Sequence, residues 1–198
     1  MPPERPLDLS PQFSAALEAL AAFARLGRRA CVIGGLAVQR WGEPRFTQDA
    51  DLTVLAPLGS EAEIVDALLL RFEPRRDDAK RHALDHRVLL LRASNRVSLD
   101  VSLAATGFEE GVLLRASSWR LLDGTPLVTC SAEDLVIYKL VAGRPGDIQD
   151  VIGIVGRQAH KLDAPRIRHW GAQFAELKED PDLLRPFDAA RKSAGLAD

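Results

Sequence analysis

Two aspartates, Asp49 and Asp51, lie two residues apart in an apolar β-type run, and the pair Gly34-Gly35 precedes them. Because side chains alternate along a strand, the two carboxylates project from the same face. Carboxylates placed in this way can share hard divalent cations. The glycine pair lets the backbone approach a ligand closely and opens a helix whose N–H groups favour anions. The segment therefore predicts phosphate and metal chemistry.

A third aspartate, Asp100, falls on the polar side of an alternating apolar and polar run over residues 96–103. If this strand lies beside the strand of Asp49 and Asp51, the carboxylates converge on one patch, which repels itself unless cations neutralise it. Two Mg²⁺ ions held there, next to a glycine-lined phosphate cradle, suit in-line attack on a nucleoside triphosphate. In this interpretation Asp49 and Asp51 hold both metals, while Asp100 binds one and helps to deprotonate the attacking hydroxyl.

The elements that must position these residues follow from the spacing of apolar side chains. Helices are predicted over 10–26, 36–41 and 60–72, and strands over 30–33, 49–56, 87–92 and 96–103, with 125–130 as an additional edge strand. The strands 87–92 and 96–103 are expected to form a hairpin, and the charged stretch 71–87 is expected to be mostly loop.

From Ser131 onward the period is helical, and helices are predicted over 131–142, 145–155, 164–177 and 181–193. Ser131 with Asp134 three residues later resembles a capping box. The sequence thus predicts an α+β (α/β-like) domain over 1–128, with a mixed sheet flanked by helices, and a C-terminal helical region over 129–198.

Composition excludes several classes of protein. Of the 198 residues 46% are hydrophobic and 27% charged, with a net charge of −2, which argues against disorder and against a global attraction to nucleic acid. Cys31 and Cys130 sit in apolar runs without CxxC spacing and are expected to be buried thiols of a reducing compartment. The N-terminal segment lacks an apolar stretch, and no run approaches the length of a membrane span. A cytoplasmic protein with no membrane partner is expected.

With these motifs the chain resembles the DNA polymerase β-like nucleotidyltransferases, whose pattern is Gly-Gly or Gly-Ser, a spacer, DxD and a later lone Asp on a strand. The segments GGLAVQRWGEPRFTQDADL, VSLDVSL and SAEDLVIYKLVAGRPGDIQDV look like the AbiEii-type and minimal nucleotidyltransferases of bacterial toxin–antitoxin systems. The similarity covers about residues 30–155. It implies a nucleotidyltransferase fold and transfer of a nucleoside monophosphate from an NTP to an acceptor, with two Mg²⁺ ions, or Mn²⁺, as cofactor.

The resemblance also implies roles for individual residues. Gly34 and Gly35 match the phosphate-binding glycines, and Asp49, Asp51 and Asp100 match the metal-binding and catalytic triad. The family often has serine at the second glycine position, and Gly35 lacks that hydroxyl. The remaining matches to nucleotide-binding or catalytic segments are Arg45 and Thr47 (RxTxDxD), Lys139 (KxxA), and Arg144, Asp147 and Asp150 (RxxDxxD).

The sequence leaves more than one role open for some of these residues. Lys139 is the single charge in the apolar segment 135–142, so it either snorkels to water or faces a phosphate or the acidic cluster. Asp147 and Asp150 either interact favourably with the helix dipole near the start of a helix or have a functional role. Arg45 either clamps the triphosphate or pairs with Asp49 or Asp51.

The sequence also leaves the acceptor and the function open. The acceptor is expected to be a tRNA 3′ end, a hydroxyl on a partner toxin or antitoxin protein, or a small molecule such as an aminoglycoside. A non-catalytic module with the same fold is the main alternative, and a DxD glycosyltransferase fits poorly. The basic stretch 71–87 either steers an anionic acceptor or, as its interspersed acids favour, is a solvated loop. His82 and His86 are spaced for a zinc pair but lack further ligands.

Overall fold

The structure, a computed structural model, describes residues 10–196. The predicted N-terminal segment without an apolar stretch, and the outer ends of the predicted domains 1–128 and 129–198, lie outside the described residues. Contacts divide the chain into two compact units, Met1–Leu36 with Phe46–Cys130 and Ala37–Arg45 with Ser131–Asp198. The domain boundary near residue 128 stays a prediction, because a compact unit is not yet an independently folding one.

Seven strands of the first unit's described residues form one mixed sheet in the order β3-β4-β5-β2-β1-β7-β6. They are β1 (Ala30–Val32), β2 (Asp49–Leu55), β3 (Glu73–Pro74), β4 (Val88–Arg92), β5 (Ser98–Ala104), β6 (Ser117–Arg120) and β7 (Pro126–Thr129). The pairs β2–β5 and β1–β7 are parallel, and the other neighbours are antiparallel. The antiparallel pairing of β4 with β5 confirms the predicted hairpin.

The two faces of this sheet differ in character. The apolar side chains of β2 and β5 are buried in the main core, together with the alanine-rich side of the first helix. Alternation therefore leaves the polar side chains of the same strands, the predicted aspartates among them, on the opposite face. The helices that accompany this sheet are α1 (Pro11–Arg25), the start of α2 (Gly34–Trp41), α3 (Glu61–Leu69), α4 (Ala79–His86) and α5 (Gly107–Arg115).

The prediction of mostly loop over 71–87 is wrong, since this stretch contains β3 and α4. Of the eight residues of α4 only Ala79 and Ala83 are buried, and two alanines among charged residues give almost no periodic signal. The sequence also did not predict α5 or the mostly exposed β6. The prediction of an edge strand over 125–130 is wrong in its position, because β7 lies between β1 and the unpredicted β6. The elements β3, β6 and α4 depend on packing and strand pairing with the rest of the unit. Helix α5, in contrast, begins with a capping box of Thr106 and Glu109, a local signal that is present in the sequence.

The second unit is helical. Besides the end of α2 it contains α6 (Ala132–Ala142), α7 (Pro145–Gln158), a short 3-10 helix (Ala159–Lys161), α8 (Ala164–Leu177) and α9 (Arg185–Ser193). The hydroxyl of Ser131 accepts the backbone N–H of Asp134, as predicted for a helix cap, and α6 ends at Gly143 with φ 65°. The last helix begins at Arg185, four residues later than predicted.

The fold class predicted from the sequence, α+β with a mixed sheet, flanking helices and a helical C-terminal part, is confirmed. Cys31 and Cys130 are buried as predicted, and no disulfide occurs in the described part of the chain. Among residues 10–196, none of the helices has both the length and the apolar composition that crossing a bilayer requires.

Candidate metal and nucleotide site

The register of β2 and β5 brings the predicted aspartates together. Asp51 lies directly opposite Asp100, and Asp49 lies opposite Ser98. One carboxylate oxygen from each of Asp49, Asp51 and Asp100 lies within 4.8 Å of the others. All three side chains keep partial exposure. We call these residues the aspartate triad, and it is the only group of three or more possible metal ligands within residues 10–196.

The electrostatics of the aspartate triad favour a bound cation. Burial raises the pKa of the Asp100 carboxyl above its ordinary value; the charge of Arg75 works against this, and the charge of Asp49 reinforces it. Arg75 reaches Asp100 with Nη1 at 2.7 Å from Oδ1. Three carboxylates with one ion-paired guanidinium leave an excess of negative charge, and a hard divalent cation with oxygen ligands would remove it.

The glycine pair lies against Asp51. At Gly34, with φ +59°, an added Cβ would lie 2.0 Å from Asp51 Oδ2, so a side chain fits neither the backbone conformation nor the space. The backbone N–H of Gly35 points at the same oxygen over 3.4 Å, which is a weak hydrogen bond. The start of α2 and the acidic strand β2 are therefore in close contact.

Thr47 fills the space beside Gly35. A Cβ at Gly35 would lie 2.5 Å from Thr47 Oγ1 and 2.9 Å from its Cβ. The Thr47 hydroxyl itself lies 3.1 Å from Asp49 Oδ1, to which it donates. A hydroxyl is therefore present next to the second glycine although that residue has none, and a serine at position 35 would compete with Thr47 for the same volume.

Sequence reasoning missed the importance of Arg75. In the sequence it is one of several basic residues between 71 and 87. In the structure it follows the edge strand β3, and its backbone N–H donates to the carbonyl of Leu90 on β4. Only this pairing singles it out, since nothing in the local pattern distinguishes Arg75 from Arg76.

The other predicted residues lie in the second unit and form ion pairs with one another. Lys139 is 7% exposed, and its Nζ lies 2.8 Å from Asp147 Oδ1 and 2.8 Å from Asp150 Oδ2. Arg45 holds Asp150 with two hydrogen bonds, of 2.7 Å from Nε and 2.8 Å from Nη2. We call Arg45, Lys139, Asp147 and Asp150 the helix network. Both Asp147 and Asp150 are almost fully buried.

These contacts revise the alternatives drawn from the sequence. Lys139 does not snorkel to water, and its anionic partners are carboxylates of α7. Arg45 has Asp150 as a partner, which the sequence did not suggest. Burial by itself raises the pKa of Asp150, but hydrogen bonds from Arg45 and Lys139 outweigh it, and the pKa lies below its ordinary value. Arg144 is exposed and lies 3.5 Å from Asp147.

Basic residues of the stretch 71–87 pair with acids both inside and outside it. Arg76 and Arg81 pair with Asp78, and Lys80 pairs with Asp66. This agrees with the interpretation of a solvated, mixed-charge surface. The rings of His82 and His86 lie 4.7 Å apart between centroids and are tilted by 48°, and no third ligand joins them in the described residues.

No protein-family model matches the chain, and no curated protein matches it in sequence. Among solved structures, the antibiotic-resistance factor ANT(2″)-Ia in complex with adenylyl-2″-tobramycin aligns with 17% identity over 84% of this chain and 98% of its own, with a TM-score of 0.51.

Two further structures align at lower TM-scores. An antigenic nucleotidyltransferase-like protein from Paracoccidioides brasiliensis has 18% identity over 90% of this chain and 92% of its own, at 0.47. The lincosamide antibiotic adenylyltransferase LnuA, bound to lincomycin, has 13% identity over 71% of this chain and 94% of its own, at 0.48. Identities this low establish the fold alone. The chain has the nucleotidyltransferase fold, and the toxin–antitoxin subtype stays a prediction.

Proposed function

We propose that the protein is a divalent-metal-dependent nucleotidyltransferase, which moves a nucleoside monophosphate from an NTP to an acceptor and releases pyrophosphate. The observation that carries the proposal is the convergence of three carboxylates within 4.8 Å at the start of a glycine-opened helix. The oxygen donors fit Mg²⁺, with Mn²⁺ as an alternative. Their excess negative charge gives such a cation a physical reason to bind.

Each residue of the aspartate triad has a distinct proposed role. Asp49 and Asp51 hold the metal, and Asp100 both binds metal and accepts the proton of the acceptor hydroxyl. Bound Mg²⁺ would supply charge neutralisation at the phosphates. The hydroxyl oxygen forms a bond to the α-phosphorus, the bond from that phosphorus to the β-bridging oxygen breaks, and pyrophosphate leaves.

The phosphate cradle is assigned to Gly34, Gly35 and Thr47. Backbone N–H groups at the first turn of α2 favour an anion. The Gly35 N–H contacts Asp51 over 3.4 Å, and a phosphate oxygen could replace this weak bond without large loss. Thr47 adds a hydroxyl donor beside the same helix start.

Within the helix network, Arg45 is the residue proposed to bind the nucleotide. Its side chain is 44% exposed while Asp150 fixes the guanidinium, so the charge is both oriented and accessible. Lys139 is 9% exposed at its side chain and neutralised by two carboxylates. We therefore assign Lys139 and Asp147 a positioning role, in which Lys139 holds Asp150 and Asp150 holds Arg45.

The acceptor defines the biological role. The resemblance to toxin–antitoxin nucleotidyltransferases supports a tRNA 3′ end or a hydroxyl on a partner toxin or antitoxin protein. A small molecule is the third class, and the solved ANT(2″)-Ia complex holds adenylyl-2″-tobramycin on the same fold. A cytoplasmic setting would supply the NTP in each case.

The test is label transfer. The protein is incubated with Mg²⁺ and each α-³²P-labelled NTP, together with total tRNA, the product of the neighbouring gene, or a panel of aminoglycosides. Label is expected in one acceptor arm and is expected to disappear in the double variant Asp49→Asn, Asp51→Asn. A matched control is Asp180→Asn, Asp182→Asn, which alters a second DxD pair that lies in a surface turn.

The outcomes separate the competing functions. NTP binding without transfer to any acceptor would indicate the non-catalytic binding module. Neither NTP binding nor transfer would contradict the proposal altogether. Transfer that survives in the Asp49→Asn, Asp51→Asn variant would contradict the metal assignment while leaving the fold unaffected.

A further inference from the structure

Arg75 pairs with the aspartate triad through Asp100. Its Nη1 lies 2.7 Å from Asp100 Oδ1, and the two side chains are 23% and 33% exposed. Asp100 is in turn the one acidic partner of Arg75 among residues 10–196. The ion pair therefore engages one of the two carboxylate oxygens of Asp100, which is a proposed metal ligand.

The backbone fixes this guanidinium in place. Asp51 on β2 lies opposite Asp100 on β5, and Asp100 lies opposite Leu90 on β4. The N–H of Arg75 donates to the Leu90 carbonyl at 3.0 Å, directly after the β3–β4 pairing. Arg75 thus extends the same cross-strand row from the sheet edge toward Asp100, and its contact follows from strand register rather than from a loose surface side chain.

A divalent cation on Asp100 and the guanidinium of Arg75 compete for the same negative charge. Two positive groups on one carboxylate repel each other in a partly buried site, where solvent screening is weaker than at an open surface. A cation that binds Asp100 must therefore displace Arg75 or bind despite repulsion from its guanidinium. The neighbouring Arg76 has no such conflict, because its guanidinium pairs with Asp78 at 2.8 Å.

We propose that Arg75 is a built-in counter-cation, which occupies Asp100 until metal and nucleotide arrive and which weakens metal binding to the nucleotide-free protein. This positioning role rests on the proposed metal centre. In the protein without metal, the charge of Arg75 offsets part of the repulsion among the carboxylates of the triad. It also makes occupancy of Asp100 depend on the extra negative charge that an NTP brings with its metal.

The test measures Mn²⁺ binding to the full chain without nucleotide, by electron paramagnetic resonance and by calorimetry. Arg75→Gln is expected to bind Mn²⁺ roughly three- to tenfold more tightly than the wild type. Arg75→Lys, which keeps the charge, is expected to stay near the wild-type affinity. Arg76→Gln is the matched control, since it removes the adjacent arginine outside the triad, and it is expected to leave the affinity unchanged.

A double-variant comparison identifies the competing carboxylate. In an Asp100→Asn background, Arg75→Gln is expected to have no effect on Mn²⁺ affinity. Weaker binding in Arg75→Gln would mean that Arg75 orients Asp100 for the metal, and equal binding would mean that the two are independent. Either result overturns the proposal. If Arg75→Gln fails to fold by circular dichroism, wild-type affinity in Arg75→Ala would overturn it instead.

Failure of this inference is distinguishable from failure of the proposed function. Tighter Mn²⁺ binding in Arg75→Gln, without label transfer by the wild type, would contradict the nucleotidyltransferase activity and leave the competition standing. Label transfer with unchanged Mn²⁺ affinity in Arg75→Gln would contradict the competition alone. No Mn²⁺ binding by any variant would overturn both.

Discussion

The aspartate triad and the helix network are both clusters of carboxylates with basic partners, yet their charges are arranged differently. The triad holds three carboxylates and one arginine, and its side chains keep partial exposure. The helix network holds two carboxylates, a lysine and an arginine, and its carboxylates are buried. One cluster has an excess of negative charge at the surface, and the other is balanced in the interior.

The difference in charge balance indicates which cluster is suited to bind an external ligand. Buried charges are tolerated only when partners on the same chain compensate them, so a balanced interior network is what a fold needs for itself. An unbalanced cluster at a surface lowers stability slightly and is retained where an external cation completes it. We therefore propose that the triad carries the chemistry and that the network has a positioning role, and variants in each cluster can separate the two.

The largest effect is expected on catalysis from the triad. Asp51→Asn is expected to lower the rate of nucleotidyl transfer by about 10³-fold or more, because the metal loses a charged ligand. The same variant is expected to change the free energy of unfolding by less than about 1 kcal/mol. Rates are measured by label transfer and stability by urea denaturation. A large loss of stability would contradict the contrast between the clusters.

Lys139→Met is expected to act on stability instead. The variant removes the ammonium group that pairs with the buried carboxylates of Asp147 and Asp150. The free energy of unfolding, measured by urea denaturation, is therefore expected to fall by about 3–5 kcal/mol. Lys161→Met, at an exposed lysine of the same unit, is the control and is expected to be neutral. A loss no greater than that of the control would show that the helix network does not stabilise the unit.

Gly34→Ala probes the contact between the helix start and Asp51. With φ +59° and an added Cβ 2.0 Å from Asp51 Oδ2, the variant is expected to lose about 2 kcal/mol of stability and to bind Mn²⁺ more weakly. The control is Gly107→Ala, where an added Cβ meets nothing within 4 Å. Equal behaviour of the two variants would argue against the close approach.

Acid is expected to weaken the helix network through Asp150. Its pKa lies below the ordinary value, so its ionisation stabilises the fold above about pH 3.9, the value of an unfolded aspartate. This contribution is lost as the pH falls through the folded-state pKa. Asp150→Asn is expected to show a shallower fall of stability with acid, by at most about 1.4 kcal/mol per pH unit. Identical slopes in urea denaturation between pH 2 and 5 would contradict the assignment.

The smallest effect is a gain of stability. Asp100 has a raised pKa, so its ionised form is disfavoured by the fold at neutral pH. In the absence of metal, Asp100→Asn is expected to raise the free energy of unfolding by up to about 1 kcal/mol, while nucleotidyl transfer is lost. Thermal unfolding in a chelator checks the sign. A decrease would mean that the ion pair with Arg75 stabilises the fold more than burial destabilises it.

Local pattern was sufficient for the parts of the molecule that follow a clear period. The alternation in β5 placed Asp100 on a polar face, and Ser131 with Asp134 marked the start of α6. The helix α4 could not be found in this way, because its buried side is a pair of alanines among charged residues. The edge strand β3 has two residues and takes its identity from its pairing with β4.

The sequence by itself determined that Gly34-Gly35 opens a helix and that Asp49 and Asp51 share one face of a strand. It also determined that Asp100 lies on the polar face of a later strand. These properties depend on neighbours a few residues away, so periodicity reports them. Only the tertiary structure decided that Asp51 lies opposite Asp100, that Arg75 reaches Asp100, and that the partners of Lys139 are Asp147 and Asp150. Those contacts depend on strand order, register and helix packing, which arise from interactions between segments far apart in the chain.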